Sequence, residues 1–239
     1  MKVSIVVPAY NEEQHIKKFI EETVRVMDRL GFNYEIVIVD DGSIDGTREE
    51  AQLATRNSHV RVVGYDRNIG KGYALKYGFK YTSGDVIAFI DGDSEISSKQ
   101  IMQYIKAVER GDLLIASKWH PESCTEIPII RRFLSHGFHL LVNLSTRLRV
   151  SDTQSGMKVF KRRVLDKILP KLVFTQFAFD VELLTVANLY GYKIVELPVS
   201  IQMRGNIELK KLFKMLFTML IELIGIVYRL RISKKYLKQ

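Results

Sequence analysis

Continuous apolar runs alternate with segments of helical periodicity over the first 118 residues. Unbroken rather than alternating apolar runs are typical of strands that are buried on both faces of a sheet. Strands that alternate with helices in this way favour an α/β fold with a mainly parallel sheet flanked by helices. The predicted strands cover residues 2–7, 34–39, 60–65, 85–90 and 113–117, and the predicted helices cover 12–30, 47–56, 70–81 and 98–110.

A cationic and apolar segment follows this alternating region. Residues 127–151 contain four arginines and no acidic residue, and their apolar side chains recur near helical spacing. A helix with one apolar face and one cationic face suits the surface of a membrane. The sequence therefore predicts an amphipathic interface helix within 127–151.

The last segment of the chain carries most of the formal net charge of +9, because residues 204–239 hold nine lysines and arginines against two glutamates. Within it, residues 212–230 are nearly long and apolar enough to cross a bilayer. Lys214, Glu222 and Arg229 argue against a span, since a central charge costs about 3 kcal/mol. A helix lying in the headgroup region is the preferred interpretation. The alternative is a helix that packs on the domain or on a second copy in a homo-oligomer.

These patterns divide the chain into a domain over 1–203, which includes the interface helix, and a basic, apolar, membrane-associating tail over 204–239. No nucleic-acid partner is expected, because the basic residues of the tail alternate with aliphatic rather than stacking aromatic side chains. The single cysteine, Cys124, excludes an internal disulfide and fits a reducing compartment. Residues 1–8 lead directly into the first strand and contain no predicted signal sequence.

Polar residues follow the predicted strands at the point where each strand ends, which is where α/β folds bind ligands. The most informative of them are Asp91 and Asp93, because residues two apart in extended chain point to the same face. Two carboxylates at a strand end suit Mg²⁺ or Mn²⁺ carrying a diphosphate. Turn residues exposed to solvent are the alternative, since Asp-Gly-Asp is also favourable in turns.

The order of four motifs resembles that of the inverting family-2 glycosyltransferases of GT-A fold. The motifs are PAYNE at 8–12, DDGSIDGT at 40–47, NIGKG at 68–72 and DGD at 91–93. Within that family the chain resembles the polyprenyl-phosphate hexosyltransferases. Its likeness to the dolichyl-phosphate β-glucosyltransferases is greater than its likeness to the dolichyl-phosphate mannose synthases. This finer likeness continues through SHGFHLL at 135–141, DTQSGMK at 152–158 and FAFDVELL at 177–184.

The resemblance implies a binding role for each motif. The implied nucleotide-sugar residues are Pro8, Tyr10, Glu12, Asp40, Lys71, Asp91 and Gly92. Lys71 suits a donor phosphate because it opens a helix, where backbone N–H groups also attract phosphate; a solvated lysine is the alternative. Glu95 is expected as a third metal ligand beside Asp91 and Asp93, although the mannose synthases usually carry Gln there.

The acceptor side is expected to need a cation more than a general base, because a lipid phosphate is already anionic at neutral pH. Lys118 is the first candidate and stands where the family usually has Arg. Arg131 and Arg132 are further candidates for the acceptor phosphate, with general attraction to the membrane as the alternative. Asp152 is expected to orient a donor-sugar hydroxyl or a cation. The expected catalytic residues are thus Asp91, Asp93, Lys118 and Asp152.

The expected protein is therefore a glycosyltransferase that is peripheral or monotopic at the cytoplasmic face of a membrane. Its expected reaction moves a hexose, preferably glucose from UDP-glucose, to dolichyl (polyprenyl) phosphate with inversion. Alternatives are a mannose synthase that uses GDP-mannose, a family-2 transferase with a soluble acceptor, and a membrane-binding scaffold without catalysis. Asp180 and Glu182 are expected to be structural, since residues two apart cannot share one helical face.

Overall fold

A seven-stranded sheet lies at the centre of the part of the chain that the structure describes. The structure is a computed structural model and describes residues 1–56, 58–93, 95–125, 129–176, 178–201 and 209–236, with side chains except at 56, 129–134 and 209–216. The strands are β1 (Lys2–Ala9), β2 (Asn33–Asp41), β3 (Val60–Tyr65), β4 (Val86–Ile90), β5 (Leu113–Ser117), β6 (Cys124–Thr125), β7 (Met157–Lys161), β8 (Ile194–Pro198) and β9 (Ser200–Ile201). The large sheet has the order β3-β2-β1-β4-β7-β5-β8, and β6 pairs with β9.

The direction of the strands places several strand ends at one edge of this sheet. Neighbouring strands pair parallel except at β7, which is antiparallel to both β4 and β5. Because β4 and β5 both oppose β7, they run in the same direction as β1 and β2. The carboxyl ends of these four strands therefore meet at the same edge, and the prediction of a mainly parallel α/β fold is confirmed.

Eight α-helices flank the sheet among the described residues, and they carry the predicted helices with shorter bounds. They are α1 (Ile16–Leu30), α2 (Thr47–Leu53), α3 (Lys71–Phe79), α4 (Ile101–Lys106), α5 (Ile129–Thr146), α6 (Arg162–Ile168), α7 (Phe179–Leu189) and α8 (Leu209–Val227). The helix predicted from residue 12 begins only at Ile16, because residues 13–15 form a turn. The segment predicted over 98–110 divides into a short α-helix between two 3₁₀ turns.

Apolar cores cover both faces of the sheet, which explains the unbroken apolar strands. Along β1, Val6 belongs to the core on one face, whereas Ile5 and Val7 belong to the core on the other. This alternation is the period of two that extended chain requires. A strand in such a position needs apolar side chains at every residue, so its sequence reads as a continuous run.

Helix α8 packs on the domain along one side and exposes apolar side chains along the other. Met219, Leu223 and Ile226 are buried, while Phe217 and Ile224 are 67% and 70% exposed. The residues after α8 return to the core, and their last described residue is Tyr236, which is fully buried and whose hydroxyl donates to Glu182 at 2.6 Å. Residues that the sequence assigned to a separate tail therefore contribute to the core of the domain, and association of the tail with a membrane stays a prediction.

Helix α5 packs beside α8 and also exposes apolar side chains. On α5, Leu140, Leu141 and Leu144 are exposed, while Phe138 and Val142 are buried. None of the helices in the described ranges combines the length and the apolar character needed to cross a bilayer. The two neighbouring helices thus both present apolar side chains to solvent.

A partly buried carboxylate ties the amino ends of β1, β2 and β4 together. Glu35 accepts hydrogen bonds from Lys2 Nζ at 2.8 Å, from Ser4 Oγ at 2.6 Å and from the amide of Ser83 at 2.5 Å. Burial by itself would raise the pKa of Glu35, but these hydrogen bonds outweigh it and lower the pKa to about 2.

The low pKa of Glu35 predicts a loss of stability in acid. Because the folded-state pKa of about 2 lies below the ordinary value of 4.5, its contribution is complete above about pH 5 and is lost as the pH falls toward 2. Glu35→Gln should lower the free energy of unfolding at pH 7 by about 1–2 kcal/mol, and the gap to the parent should narrow below about pH 5. Urea unfolding across this pH range measures it, with exposed Glu122→Gln as the control. A gap that stays constant down to pH 3 would contradict the assignment.

Candidate functional site

A cleft of about 260 Å³ opens at the carboxyl edge of the sheet. It brings together residues from the end of β4, the end of β5, α5 and the loop before β7. The sequence-predicted residues that line it are Asp91, Asp93, Glu95, Lys118 and Asp152. The remaining lining residues are Ile96, Trp119, Ser135, Gln154, Ser155, Gly156 and Ile201.

Asp91 follows β4 directly and lies against the ammonium group of Lys71. The Nζ atom of Lys71 is 2.7 Å from Oδ1 and 2.8 Å from Oδ2 of Asp91. The amide of Asp91 donates to the carbonyl of Gly156 at 3.0 Å, which fixes the backbone at the strand end. Burial raises the pKa of Asp91 to about 6; Lys71 opposes this shift and the charge of Asp93 reinforces it.

Gly156 allows the loop before β7 to approach the carboxylate of Asp91. A Cβ atom on Gly156 would lie 2.7 Å from Oδ2 of Asp91, which is closer than real Cβ contacts allow. A side chain at this position would therefore fill space next to the carboxylate oxygen.

The position of Lys71 is set by the loop that precedes α3. The carboxylate of Asp41 accepts from the amides of Ile69 at 2.9 Å and Gly70 at 3.0 Å. Gly70 adopts φ +114°, a conformation that side-chain-bearing residues rarely adopt, so glycine is needed there. The amide of Gly72 then donates to the carbonyl of Thr175 at 2.9 Å. These contacts start the helix at Lys71, as predicted.

Asp91 and Asp93 are a donor set that fits a divalent cation. Their carboxylates line the same cleft, and the effect of Asp93 on the pKa of Asp91 reflects the proximity of two like charges. Among the described residues no three acidic, histidine or cysteine side chains form a metal-binding group, so Glu95 is not brought into a triad with the aspartates. Two carboxylates with oxygens from phosphate and water are a usual environment for Mg²⁺. Neutralisation of a diphosphate is the chemistry that such an ion would supply.

The residues expected to bind the nucleotide lie beside this cleft with different exposures. Tyr10 is 42% exposed just after β1, whereas Asp40 is buried at the end of β2. The carboxylate of Asp40 accepts from Arg48 Nε at 2.6 Å and from the amide of Ser43 at 3.0 Å, so it holds its own loop. The carbonyl of Pro8 accepts from the amide of Gly92 at 3.3 Å. Beyond Gly92 the same loop connects to Asp93, so the nucleotide motif adjoins the metal motif.

Glu12 anchors the turn that leads into α1. Its amide donates to Thr47 Oγ1 at 2.7 Å, and its carbonyl accepts from the amides of His15 and Ile16. These bonds connect the loop after β1 to the start of α2. The backbone of Glu12 thus has a structural role, and a nucleotide contact of its side chain stays a prediction.

Lys118 and Asp152 line the same cleft as Asp91 and contact each other. The carboxylate of Asp152 accepts from Lys118 Nζ at 3.3 Å and from the amides of Lys118 at 3.1 Å and Gln154 at 3.0 Å. Asp152 is 3% exposed, so its position is fixed. Next to it, the rings of Trp119 and His136 lie 4.1 Å apart between centroids. The side chains of Arg131 and Arg132 fall outside the described residues.

Asp180 and Lys158 are charged residues of the site that sequence reasoning did not select. Asp180 Oδ2 lies 3.4 Å from Lys71 Nζ, and its Oδ1 lies 2.7 Å from Lys158 Nζ. The available signal was weak: a lysine within the otherwise apolar start of a strand, and an aspartate in the first turn of an apolar helix. Glu182, by contrast, has the structural role that was expected, since it accepts from the amides of Val173 and Phe174.

The sheet order and the position of the cleft define a Rossmann-like α/β domain of the GT-A class. Glucosyl-3-phosphoglycerate synthase from Mycobacterium tuberculosis, solved in complex with uridine diphosphate, superposes with a TM-score of 0.74 over 95% of this chain and 80% of its own. The same enzyme solved with Mn²⁺, UDP-glucose and phosphoglyceric acid gives 0.73 over 95% of this chain and 79% of its own. Both are 20% identical to this chain, so they establish the fold.

The chain belongs to glycosyl transferase family 2, whose model matches residues 4–169. Dolichyl-phosphate beta-glucosyltransferases of Trichomonas vaginalis (ALG5A) and Saccharomyces cerevisiae are 33% and 30% identical to it, each over 83% of this chain. A second Trichomonas protein of that name, ALG5C, is 29% identical over 87% of this chain. The chain spans 65–66% of the length of these three relatives. The family predicted from the motifs is thereby confirmed.

Substitution of Gly156 tests whether the oxygen of Asp91 is used for metal. Gly156→Ala places a methyl group against Oδ2 of Asp91, so the affinity for Mn²⁺ in the presence of UDP should fall about tenfold, or about 1.4 kcal/mol. Isothermal titration calorimetry measures this affinity. Gly137→Ala is the matched control, because a Cβ there meets nothing within 4 Å and lies in helix α5. Equal Mn²⁺ affinities of the two variants would argue against a metal at Asp91.

Proposed function

We propose that the protein transfers glucose from UDP-glucose to dolichyl (polyprenyl) phosphate and gives a β-linked lipid-phosphate sugar. The observation that carries this proposal is the similarity to three proteins named dolichyl-phosphate beta-glucosyltransferase, at 29–33% identity over 83–87% of this chain. The cleft supports it by containing Asp91 and Asp93, which suit a divalent ion, together with Lys118, which suits an anionic acceptor. GDP-mannose is the alternative donor.

The donor end of the cleft suits a nucleoside diphosphate sugar. Asp91 and Asp93 would hold a Mg²⁺ or Mn²⁺ ion, and Glu95, which lines the same cleft, is the proposed additional ligand. Lys71 lies within hydrogen-bonding distance of Asp91 and can donate to a phosphate oxygen in the same cleft. Pro8, Tyr10, Glu12, Asp40 and Gly92 are the proposed contacts of base and ribose, and the hydrogen bond from Gly92 to Pro8 connects them to the two aspartates.

The acceptor end suits an anionic nucleophile. Lys118, together with Arg131 and Arg132, would attract and orient the lipid phosphate. One phosphate oxygen forms a bond to the anomeric carbon while the bond from that carbon to the nucleoside diphosphate breaks, and the electron pair leaves with UDP. Displacement from the opposite face inverts an α-linked donor into a β-linked product. Asp152 holds Lys118 in place during this step and is not required as a base, because the nucleophile carries no proton that must be removed.

The apolar surface on α5 and α8 supports a lipid acceptor at a membrane surface. Leu144, Phe217 and Ile224 are each more than 60% exposed on it. The surface adjoins the cleft, because Ser135 of α5 lines the cleft and Gln154 donates to the sulfur of Met219 on α8 at 3.7 Å. Peripheral or monotopic attachment through this surface would bring the lipid phosphate to Lys118. A cytoplasmic location agrees with the exposed free thiol of Cys124.

Transfer of label to lipid tests the proposed reaction. Purified protein with Mn²⁺ and dolichyl phosphate should move radiolabel from UDP-glucose, and not from GDP-mannose, into the organic phase. Asp91→Asn should lower this rate at least about a hundredfold with little loss of stability, because the diphosphate loses its charge stabilisation. Asp166→Asn, at a half-exposed position of α6, is the control. Transfer of label from GDP-mannose alone would show that GDP-mannose is the donor instead of UDP-glucose. Transfer only to a soluble acceptor would overturn the proposal.

Replacement of Lys118 tests its role with the acceptor. Lys118→Met should raise the KM for dolichyl phosphate about tenfold or more and leave the KM for UDP-glucose unchanged, because the charge acts on the acceptor. Lys118→Arg should retain most of the activity, since it keeps the charge beside Asp152 and restores the family's usual residue. Steady-state kinetics with each substrate varied in turn measure both constants. An equal rise of both KM values would show a general disturbance of the cleft instead.

A further inference from the structure

The charged groups beneath the donor end form an alternating row. Lys71 Nζ contacts both carboxylate oxygens of Asp91, at 2.7 and 2.8 Å, and lies 3.4 Å from Oδ2 of Asp180. The other oxygen of Asp180 lies 2.7 Å from Lys158 Nζ. Lys71 thus occupies the two oxygens of Asp91 that a divalent ion would also use.

The two lysines of this row differ in their freedom to move. Lys158 is 2% exposed, and its ammonium group also donates to the carbonyl of Ser155 at 2.6 Å, so it is fixed. The side chain of Lys71 is 31% exposed, and its ammonium group contacts Asp91, which lines the cleft. Asp180 lies between them, and its pKa is lowered because Lys158 and Lys71 outweigh the effect of burial. Lys71 can therefore leave Asp91 and still keep Asp180 as a partner.

The balance of charge favours entry of metal and diphosphate together. The three carboxylates of Asp91, Asp93 and Asp180 and the two ammonium groups of Lys71 and Lys158 leave one net negative charge. A divalent ion alone would bring a cation against the ammonium group of Lys71. A divalent ion with a nucleotide-sugar diphosphate, which carries two negative charges, leaves the balance unchanged and gives Lys71 a new partner.

We propose that Lys71 is a resident cation that competes with the divalent ion for Asp91 and thereby couples metal binding to nucleotide binding. Asp180 and Lys158 are positioning residues that hold Lys71 ready for the exchange. This inference rests on the proposed function only for the binding of a metal ion and a nucleoside diphosphate. It predicts that the metal ion alone binds weakly. UDP should increase the affinity for the metal ion, and the metal ion should increase the affinity for UDP by the same factor.

Mn²⁺ binding without nucleotide tests the competition directly. In the full-length protein, Lys71→Met should increase the affinity for Mn²⁺ alone by about tenfold and decrease the affinity for UDP at saturating Mn²⁺. Electron paramagnetic resonance of free Mn²⁺ and calorimetry with UDP measure the two quantities. Lys71→Gln is the second variant if Lys71→Met does not fold, and exposed Lys80→Met on the end of the same helix is the control. Unchanged or weaker binding of Mn²⁺ alone in both Lys71 variants would overturn the proposal.

A double-mutant cycle tests the positioning role of Asp180. Asp180→Asn should weaken the binding of Mn²⁺ alone several-fold, because Lys71 then has no second carboxylate to accept it when it leaves Asp91. The same substitution in the Lys71→Met background should have little effect on Mn²⁺ binding. An equal loss in both backgrounds would show a merely structural role. Neither measurement involves sugar or lipid, so failure of lipid glucosylation with intact metal coupling would refute the proposed function alone.

Discussion

The contact of Lys71 with Asp91 depends on three segments that are far apart in the sequence. The end of β4 supplies the carboxylate, the start of α3 supplies the ammonium group, and the start of α7 supplies Asp180 behind them. The sheet fixes the first segment, and the glycine-dependent loop held by Asp41 fixes the second. A partly buried pair of this kind is stabilised when each charge keeps a partner. The rest of the site is arranged around that requirement.

The parts of the fold that could be predicted are those in which the environment is uniform along the chain. Strands β1, β2, β4 and β5 lie between two apolar cores, so their sequences are mainly apolar, whereas β3 at the edge of the sheet is less buried. Strand β7 could not be found in this way, because Met157–Lys161 includes two lysines among five residues. Lys158 lies in that strand only because Asp180 and the carbonyl of Ser155 satisfy its charge. The antiparallel position of β7 between β4 and β5 depends on tertiary pairing, which local sequence patterns do not show.

The same distinction separates the site residues that were found from those that were missed. Asp91 and Asp93 were identified because a local pattern, a strand followed by two spaced carboxylates, has a direct chemical meaning. Asp180 offers no such pattern, since its role depends on Lys71, which lies on another helix. Gly156 is similar, because its lack of a side chain matters only where the loop meets Asp91. Pairwise contacts between distant segments are the information that single-sequence reasoning lacks.

The two ends of the cleft satisfy their carboxylates in different ways, and this difference matches their proposed tasks. Asp152 accepts from two backbone amides in addition to the ammonium group of Lys118. Its position therefore does not depend on the contact with that ammonium group alone. Within the described part of the chain, the carboxylate of Asp91 is instead held by the side chain of Lys71. A side-chain partner can be exchanged, whereas backbone partners cannot move without the fold. We therefore expect Asp152 to keep its position in the proposed reaction, whereas the contact of Lys71 with Asp91 can be exchanged for another.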